Sequence, residues 1–368
     1  MNISKKKTIS VIVTATFAGL VIALGIFCPA PLQGQANPPK YEIDPYWPKP
    51  LPNGWVNGWI GGVCVDARDH VFIVDRRNLT DNEKEAGHPA PPVIEFDSEG
   101  NVVNSWGDPD VVPIWQHGCY VDYENNVWLA GARDGIVQKY THDGSKLLLQ
   151  IGKSKVFDSS DGTVDGRALN SSHTLLFRPA GVAVDRSNGD IYISDGYGNS
   201  RVVVFDRNGK YLRQWGRQGS SAEGEAGEPG AFMQVVHCIT IGNDGLVYVC
   251  DRQGDRVQVF DMMGNFKRNI WVRTGSEHLP DRGGTVMWVG FSPDPSQRFM
   301  YIASEHNDQV HILDHSTGQI LSSFGRVGHL LGEFTHAHTL AVDSKGNVYV
   351  AEVQSGNRVQ KFKIVGSQ

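Results

Sequence analysis

The chain has 368 residues and a formal net charge of −6, from 34 Lys and Arg against 40 Asp and Glu. That length suits one large repeat domain or two ordinary ones. An acidic balance with no basic patch excludes a nucleic-acid partner on electrostatic grounds.

In chain order, Lys5, Lys6 and Lys7 precede an apolar run from about Ile9 to Phe27, and small polar residues follow, ending Gly34-Gln35-Ala36. This is the pattern of an export signal. It predicts removal of residues 1–36, which carry three lysines and no acid, leaving a net charge of 31 − 40 = −9. The apolar run is long enough that an uncleaved membrane anchor is the alternative; no other segment could span a bilayer. Bulky Phe27 before Cys28 argues against lipid attachment. The expected location is periplasmic or extracellular, with N-terminal anchoring in the alternative.

Residues 37–57 read as an N-terminal extension, and residues 58–368 repeat. Aligned on the turn that ends the first strand of each unit, the segments start at Gly61, His117, Ala180, His237, a degenerate unit near Val286, and His338. Alternating apolar residues joined by Asp/Asn-Gly turns are the mark of antiparallel hairpins. Six units of this kind predict an all-β, six-bladed β-propeller. The last unit has three strands, so the segment around Tyr41–Trp47 is expected to return as its outer strand and close the ring. The aspartates ending the first strands (Asp66, Asp122, Asp185 and Asp343) read as turn residues.

After cleavage four cysteines remain: Cys64, Cys119, Cys238 and Cys250. Their spacing matches no zinc or CxxC pattern. A turn at Asn243-Asp244-Gly245 sets Cys238 opposite Cys250, as a bridge or as buried thiols.

His117 and His338 each lie five residues before the turn aspartate, and His237 lies five before Gly242, which takes that aspartate's place. The same offset holds Gly61 in unit one and Ala180 in unit three. Histidine thus occupies units two, four and six. Alternate blades of a six-bladed ring stand about 120° apart, so three imidazoles point at the axis from one end. At the chain's histidine frequency, three preselected positions would all be His roughly 4 times in 100,000. Such a set suits zinc, or another borderline divalent ion. Arg76 stands ten residues after Asp66, Arg252 ten after Gly242, and Tyr197 falls near the same place in unit three. These are ends of second strands, on the face where first strands begin. The connections 153–177, 217–233 and 273–286 and the loop 78–92 are expected there too, around a pocket. Alone, either arginine would read as a surface ion pair; beside three histidines, it suits a substrate carboxylate.

The units resemble NHL repeats through the pattern of Val182-Ala-Val-Asp, Ile191-Tyr-Ile-Ser-Asp, Asn199-Ser-Arg and Val202-Val-Val-Phe-Asp. The stretch from Phe177 to Gly216, above all Asp195-Gly-Tyr-Gly-Asn-Ser-Arg201, is similar to a blade of peptidyl-α-hydroxyglycine α-amidating lyase. The resemblance implies that His117, His237 and His338 hold zinc. It implies that Tyr197 is the base near the metal, and that Arg76 and Arg252 meet the substrate's carboxylate and developing charge. The implied reaction splits an N-acyl or peptidyl α-hydroxyglycine, a carbinolamide, into an amide and glyoxylate.

Departures are visible. A family cysteine of that blade is Gly198 here and its partner position Phe177; a second family bridge is replaced at Tyr248 and Val259. Thr339 stands where the family has an aspartate holding a structural calcium, which makes calcium doubtful. His336 reads as a solvated loop histidine, with a fourth ligand or a donor to the ligands as alternatives. The expected partner is a small molecule or peptide with a carboxylate, and a monomer is expected. Two other readings stay open: a non-enzymatic NHL propeller that binds a peptide, protein or glycan, and a lactonase-like hydrolase, which favours carboxylate-held calcium.

Overall fold

The computed structural model describes residues 37–273 and 284–366. The export signal and its cleavage point lie outside the described residues, as does most of the 273–286 connection. Among the described residues no helix is long and apolar enough to cross a membrane.

The chain is an all-β propeller of six four-stranded antiparallel blades. Their first strands are Ile60–Val65, Gln116–Val121, Pro179–Val184, Val236–Ile241, Trp288–Phe291 and Ala337–Val342. Each blade then runs outward by hairpins whose tight turns carry glycine or asparagine at positive φ, as at Asn125, Gly209, Gly245 and Gly264. Blade six closes as its three-strand length demands. Tyr41–Ile43 pairs antiparallel with Val359–Ile364, Tyr41 facing Ile364 and Ile43 facing Phe362. The closure is also packed. Trp47 is buried among Ile60, Phe96, Tyr349 and Val359, so one cluster contains both ends of the propeller. The Tyr41 hydroxyl donates to that of Tyr301 at 2.8 Å, tying the closing strand to blade five.

Near the axis, first strands of neighbouring blades approach too closely for side chains at some positions. A Cβ on Gly61 would lie 1.9 Å from the Gln116 carbonyl oxygen, and one on Gly118 would lie 2.6 Å from that of Ala180. Between blades the cores are apolar, with Val182, Ile193 and Phe205 against Trp128, and Val236 and Ile239 against Tyr192 and Val204.

Two disulfides are present. Cys238–Cys250 crosses the first hairpin of blade four, resolving the alternative left open by spacing. Cys64–Cys119 joins the first strands of blades one and two. The sequence carried no sign of this second bridge, because its partners meet only through the packing of two blades. By loop-closure entropy, a bridge spanning 55 residues stabilises by about 4 kcal/mol and one spanning 12 by about 3 kcal/mol. The Cys64→Ser/Cys119→Ser variant should therefore lose about 3–4 kcal/mol in urea unfolding. A loss no larger than that of Cys238→Ser/Cys250→Ser would contradict the loop-length argument.

The family bridges missing from the sequence are replaced by packing. The Phe177 ring lies where a Cβ on Gly198 would sit, 2.3 Å from it, and Tyr248 and Val259 are plain cross-strand partners.

Acid should weaken the fold in a defined window. His311, in the third strand of blade five, is pulled down to about 4 by burial. An unfolded histidine titrates near about 6.5, so between those values only the unfolded chain binds the proton. Stability then falls as pH drops from 6.5 to 4, by roughly 3 kcal/mol from this group. Urea midpoints of chelator-treated protein at pH 7.5 and 4.5 test this, and His311→Gln should flatten the dependence.

Candidate functional site

The first-strand starts are held by one recurring device. A buried carboxylate accepts a backbone N–H a few residues before five of the six starts: Asp75 from Gly58 at 3.1 Å, Asp134 from Ile114 at 2.9 Å, Asp195 from Phe177 at 2.8 Å, Asp251 from Met233 at 2.7 Å and Glu352 from Thr335 at 2.7 Å. In blades three, four and six that acid also takes an arginine Nε from the next strand, namely Arg201, Arg256 and Arg358. In blades three and four both partners are buried, which makes those two clamps costly to break singly. They orient the chain where the histidines begin.

His117, His237 and His338 come together as the offset implies. One ring nitrogen of each lies within 4.8 Å of the others, and all three residues are buried. Ring centroids are 4.5 Å apart for His117–His237 and His117–His338, and 5.0 Å for His237–His338. His117 Nδ1 donates to the Ala180 carbonyl at 2.9 Å and His237 Nδ1 to that of Met287 at 2.7 Å. Each thus leans on the next blade, which leaves its Nε2 as a lone pair. His237 Nε2 has no hydrogen-bond partner, and His117 Nε2 lies 3.1 Å from His338 Nε2. Burial pushes all three imidazoles well below their usual range; the Arg76 and Arg252 charges add to it, as do neighbouring imidazoles for His117 and His338. Neutral, convergent nitrogens, with that of His237 unpaired among the described residues, fit a divalent metal ion.

Tyr197, Arg76 and Arg252 are brought to the same place by an equivalent backbone position. Arg76 donates its N–H to the Trp59 carbonyl, Tyr197 to that of Arg178 and Arg252 to that of Val235. Each acceptor stands two residues before the histidine position of its blade. The Tyr197 hydroxyl is 2.9 Å from His117 Nε2, and Arg252 Nη1 is 3.4 Å from that hydroxyl. Arg76 Nε donates to the Gln116 carbonyl at 2.9 Å, beside His117. Burial lowers Arg76 to about 10, which leaves it charged at neutral pH. Burial raises Tyr197, and the Arg252 and Arg76 charges oppose that rise without overcoming it.

Further residues arrive, of which Glu305 and Trp115 carried no signal taken up from the sequence. Glu305 follows the second strand of blade five, the place Arg76 and Arg252 hold in theirs, and its carboxylate lies 3.5 Å from Arg252 Nη2. The common register was the signal, hidden by the longer turn of this degenerate blade. His336 is half-buried rather than a solvated loop histidine, and its Nε2 is 3.1 Å from Glu305. The Glu305 bond raises His336. Burial pushes Glu305 up, but the His336 bond and the Arg252 charge bring it below its usual value. Trp115 is covered by Arg133 at 3.7 Å and Arg76 at 4.6 Å. The Thr339 hydroxyl accepts from the Val63 N–H at 3.1 Å, joining blade six to blade one.

Of the expected loops, 78–92, 153–177 and 217–233 lie at this end. The 78–92 loop holds a short helix, Asp81–Ala86, opened by a Thr80/Glu83 capping box, and 217–233 holds another, Ser221–Ala226, opened by Ser220 and Glu223. Asp158, in 153–177, lies 3.3 Å from Arg201.

Comparison with known proteins matches the NHL repeat to residues 178–205. The chain is 29% identical over 328 residues to peptidyl-glycine α-amidating monooxygenase A of Xenopus laevis, covering 83% of this chain and 32% of that protein. It is 30% identical over 275 residues to peptidyl-α-hydroxyglycine α-amidating lyase 1 of Drosophila melanogaster, covering 72% and 47%. With human NHL repeat-containing protein 3 it shares 27% over 337 residues, covering 88% and 84%. The chain therefore spans about a third of the length of the Xenopus monooxygenase and under half that of the fly lyase. A streptogramin B lyase structure shares the fold with a TM-score of 0.53 at 12% identity, covering 88% of this chain and 98% of that one. The chain is thus a six-bladed propeller with an NHL-repeat match in its third blade, and it resembles the amidating lyases.

Proposed function

We propose that this NHL-repeat propeller is a metal-dependent carbon–nitrogen lyase that splits an N-acyl or peptidyl α-hydroxyglycine into an amide and glyoxylate. The observation that carries the reading is one buried cluster: three convergent imidazoles with the Tyr197 hydroxyl 2.9 Å from one of them and Arg252 3.4 Å from that hydroxyl. His117, His237 and His338 would hold the ion, for which zinc is the first choice. A bound divalent ion lowers the pKa of a hydroxyl that it touches and polarises its oxygen.

Arg252 and Arg76 present two cations to the substrate carboxylate, for which the guanidinium fork is suited. Tyr197 takes the carbinol proton as the C–N bond breaks and returns it to the departing amide nitrogen. The carbinol carbon becomes the aldehyde carbon of glyoxylate, and the balance needs no water and no redox partner. The two arginines assist by offsetting part of the cost that burial imposes on the tyrosinate.

Two disulfides suit an oxidising compartment, which together with the export signal expected from the sequence supports an exported enzyme acting in the periplasm or outside the cell; we take it to act as a monomer. The partner is then a small molecule or peptide with a free carboxylate, and no nucleic acid is involved. Purified protein should carry close to one transition metal at the triad and release glyoxylate from α-hydroxyhippurate. Protein that binds no metal and ignores chelators would sink the proposal. A metal-loaded protein that leaves the carbinolamide intact would reduce it to a metal-binding propeller.

A further inference from the structure

A second group of metal-binding side chains lies at the opposite end of the propeller, where first strands end. Asp66, Glu95 and His142 offer ligand atoms within 4.8 Å of one another. Asp66 and Glu95 belong to blade one and are buried. His142 comes from blade two, with its ring held edge-on against Phe72 at 5.1 Å. His142 Nε2 is 2.9 Å from Asp66 Oδ2 and 4.0 Å from Glu95 Oε1. His70 joins them, with Nδ1 2.7 Å from the same Glu95 oxygen.

The turn does not consume this chemistry. Asp66 Oδ1 accepts the Arg68 and His70 N–H groups, both at 2.8 Å, which leaves Oδ2 facing the cluster. What occupies the middle is the Arg68 guanidinium. Its Nη2 is 3.2 Å from Asp66 Oδ2, 3.5 Å from Glu95 Oε1 and 3.2 Å from His142 Nε2. That arrangement is strained electrically. A neutral His142 Nε2 cannot both donate to Asp66 and accept from Arg68. Two buried carboxylates need a cation, yet the Arg68 side chain is 58% exposed, so water screens its hold.

From this geometry we infer a second divalent-metal site, formed by Asp66, Glu95 and His142 and steadied by His70 through its bond to Glu95, in which Arg68 is a displaceable stand-in cation. One imidazole with two carboxylates suits zinc or a similar borderline ion, with open positions left for water. With the ion in place His142 Nε2 offers it a lone pair, and the donor conflict disappears. The ion would clamp blade one to blade two at the end remote from the histidine triad. These are the two blades that Cys64–Cys119 also joins.

Zinc chloride titrated against a competing chelator provides the test, using the wild-type chain, His70→Ala/His142→Ala and Arg68→Ala. Wild type should bind one equivalent more than the double variant; the difference, not the total, is the readout, so it does not depend on the triad. Arg68→Ala should bind that equivalent at least about tenfold tighter, because its competitor is gone. Equal stoichiometry in wild type and the double variant overturns the site. So does an Arg68→Ala chain whose zinc affinity is unchanged or weaker, which keeps the test decisive even if the double variant fails to fold.

Discussion

Replacing His237 by alanine is expected to strip the bound metal and lower kcat/KM for α-hydroxyhippurate by on the order of a thousandfold or more, about 4 kcal/mol of transition-state stabilisation. The expectation rests on how this residue is held. It is fully buried, its Nδ1 is fixed on the Met287 carbonyl, and its Nε2 has no hydrogen-bond partner among the described residues. Two remaining imidazoles leave an open, weakly held ion. Metal content, rate and a far-ultraviolet spectrum should be read on the same preparation. A folded variant that keeps both its metal and its rate would remove His237 from the site.

The second large effect is expected from Tyr197→Phe. The ring stays, packed against His117 with centroids 4.9 Å apart and under Arg178 at 5.6 Å, and only the hydroxyl is lost. Loss of a general base or acid typically costs 10²–10⁴-fold, so kcat should fall within about that range while metal content and KM hold. Since burial raises this phenol, the parent enzyme should gain rate on the alkaline side as the tyrosinate fraction grows. That limb should vanish in Tyr197→Phe. Arg252→Ala is the companion variant: it removes the cation beside the hydroxyl and frees Glu305, so KM should rise as kcat falls. Parent-like rates in either variant would discard the roles given to these residues.

How much of this was legible beforehand depended on whether a residue's neighbours follow from the repeat. His117, His237 and His338 share one offset, and rotation about the axis maps each onto the next, so their convergence needed no coordinates. The closing strand at Tyr41–Ile43 followed from a blade one strand short. Glu305 obeys the same register as Arg252, but blade five inserts residues in its first turn and the alignment slips there. His336 read as a solvated loop residue because its pairing with Glu305 crosses from blade five to blade six.

The sequence by itself therefore determined the propeller, its closure and the three imidazoles, because each is a consequence of periodicity and period survives in one dimension. Only the tertiary structure decided what happens between blades. The Cys64–Cys119 bridge, the His117 and His237 tautomers set by carbonyls of the next blade, the contact of Tyr197 with His117 rather than another histidine, and the Asp66–Glu95–His142 cluster all join strands that share no hydrogen-bonded register. Side-chain packing alone sets such neighbours, and packing has no period to read.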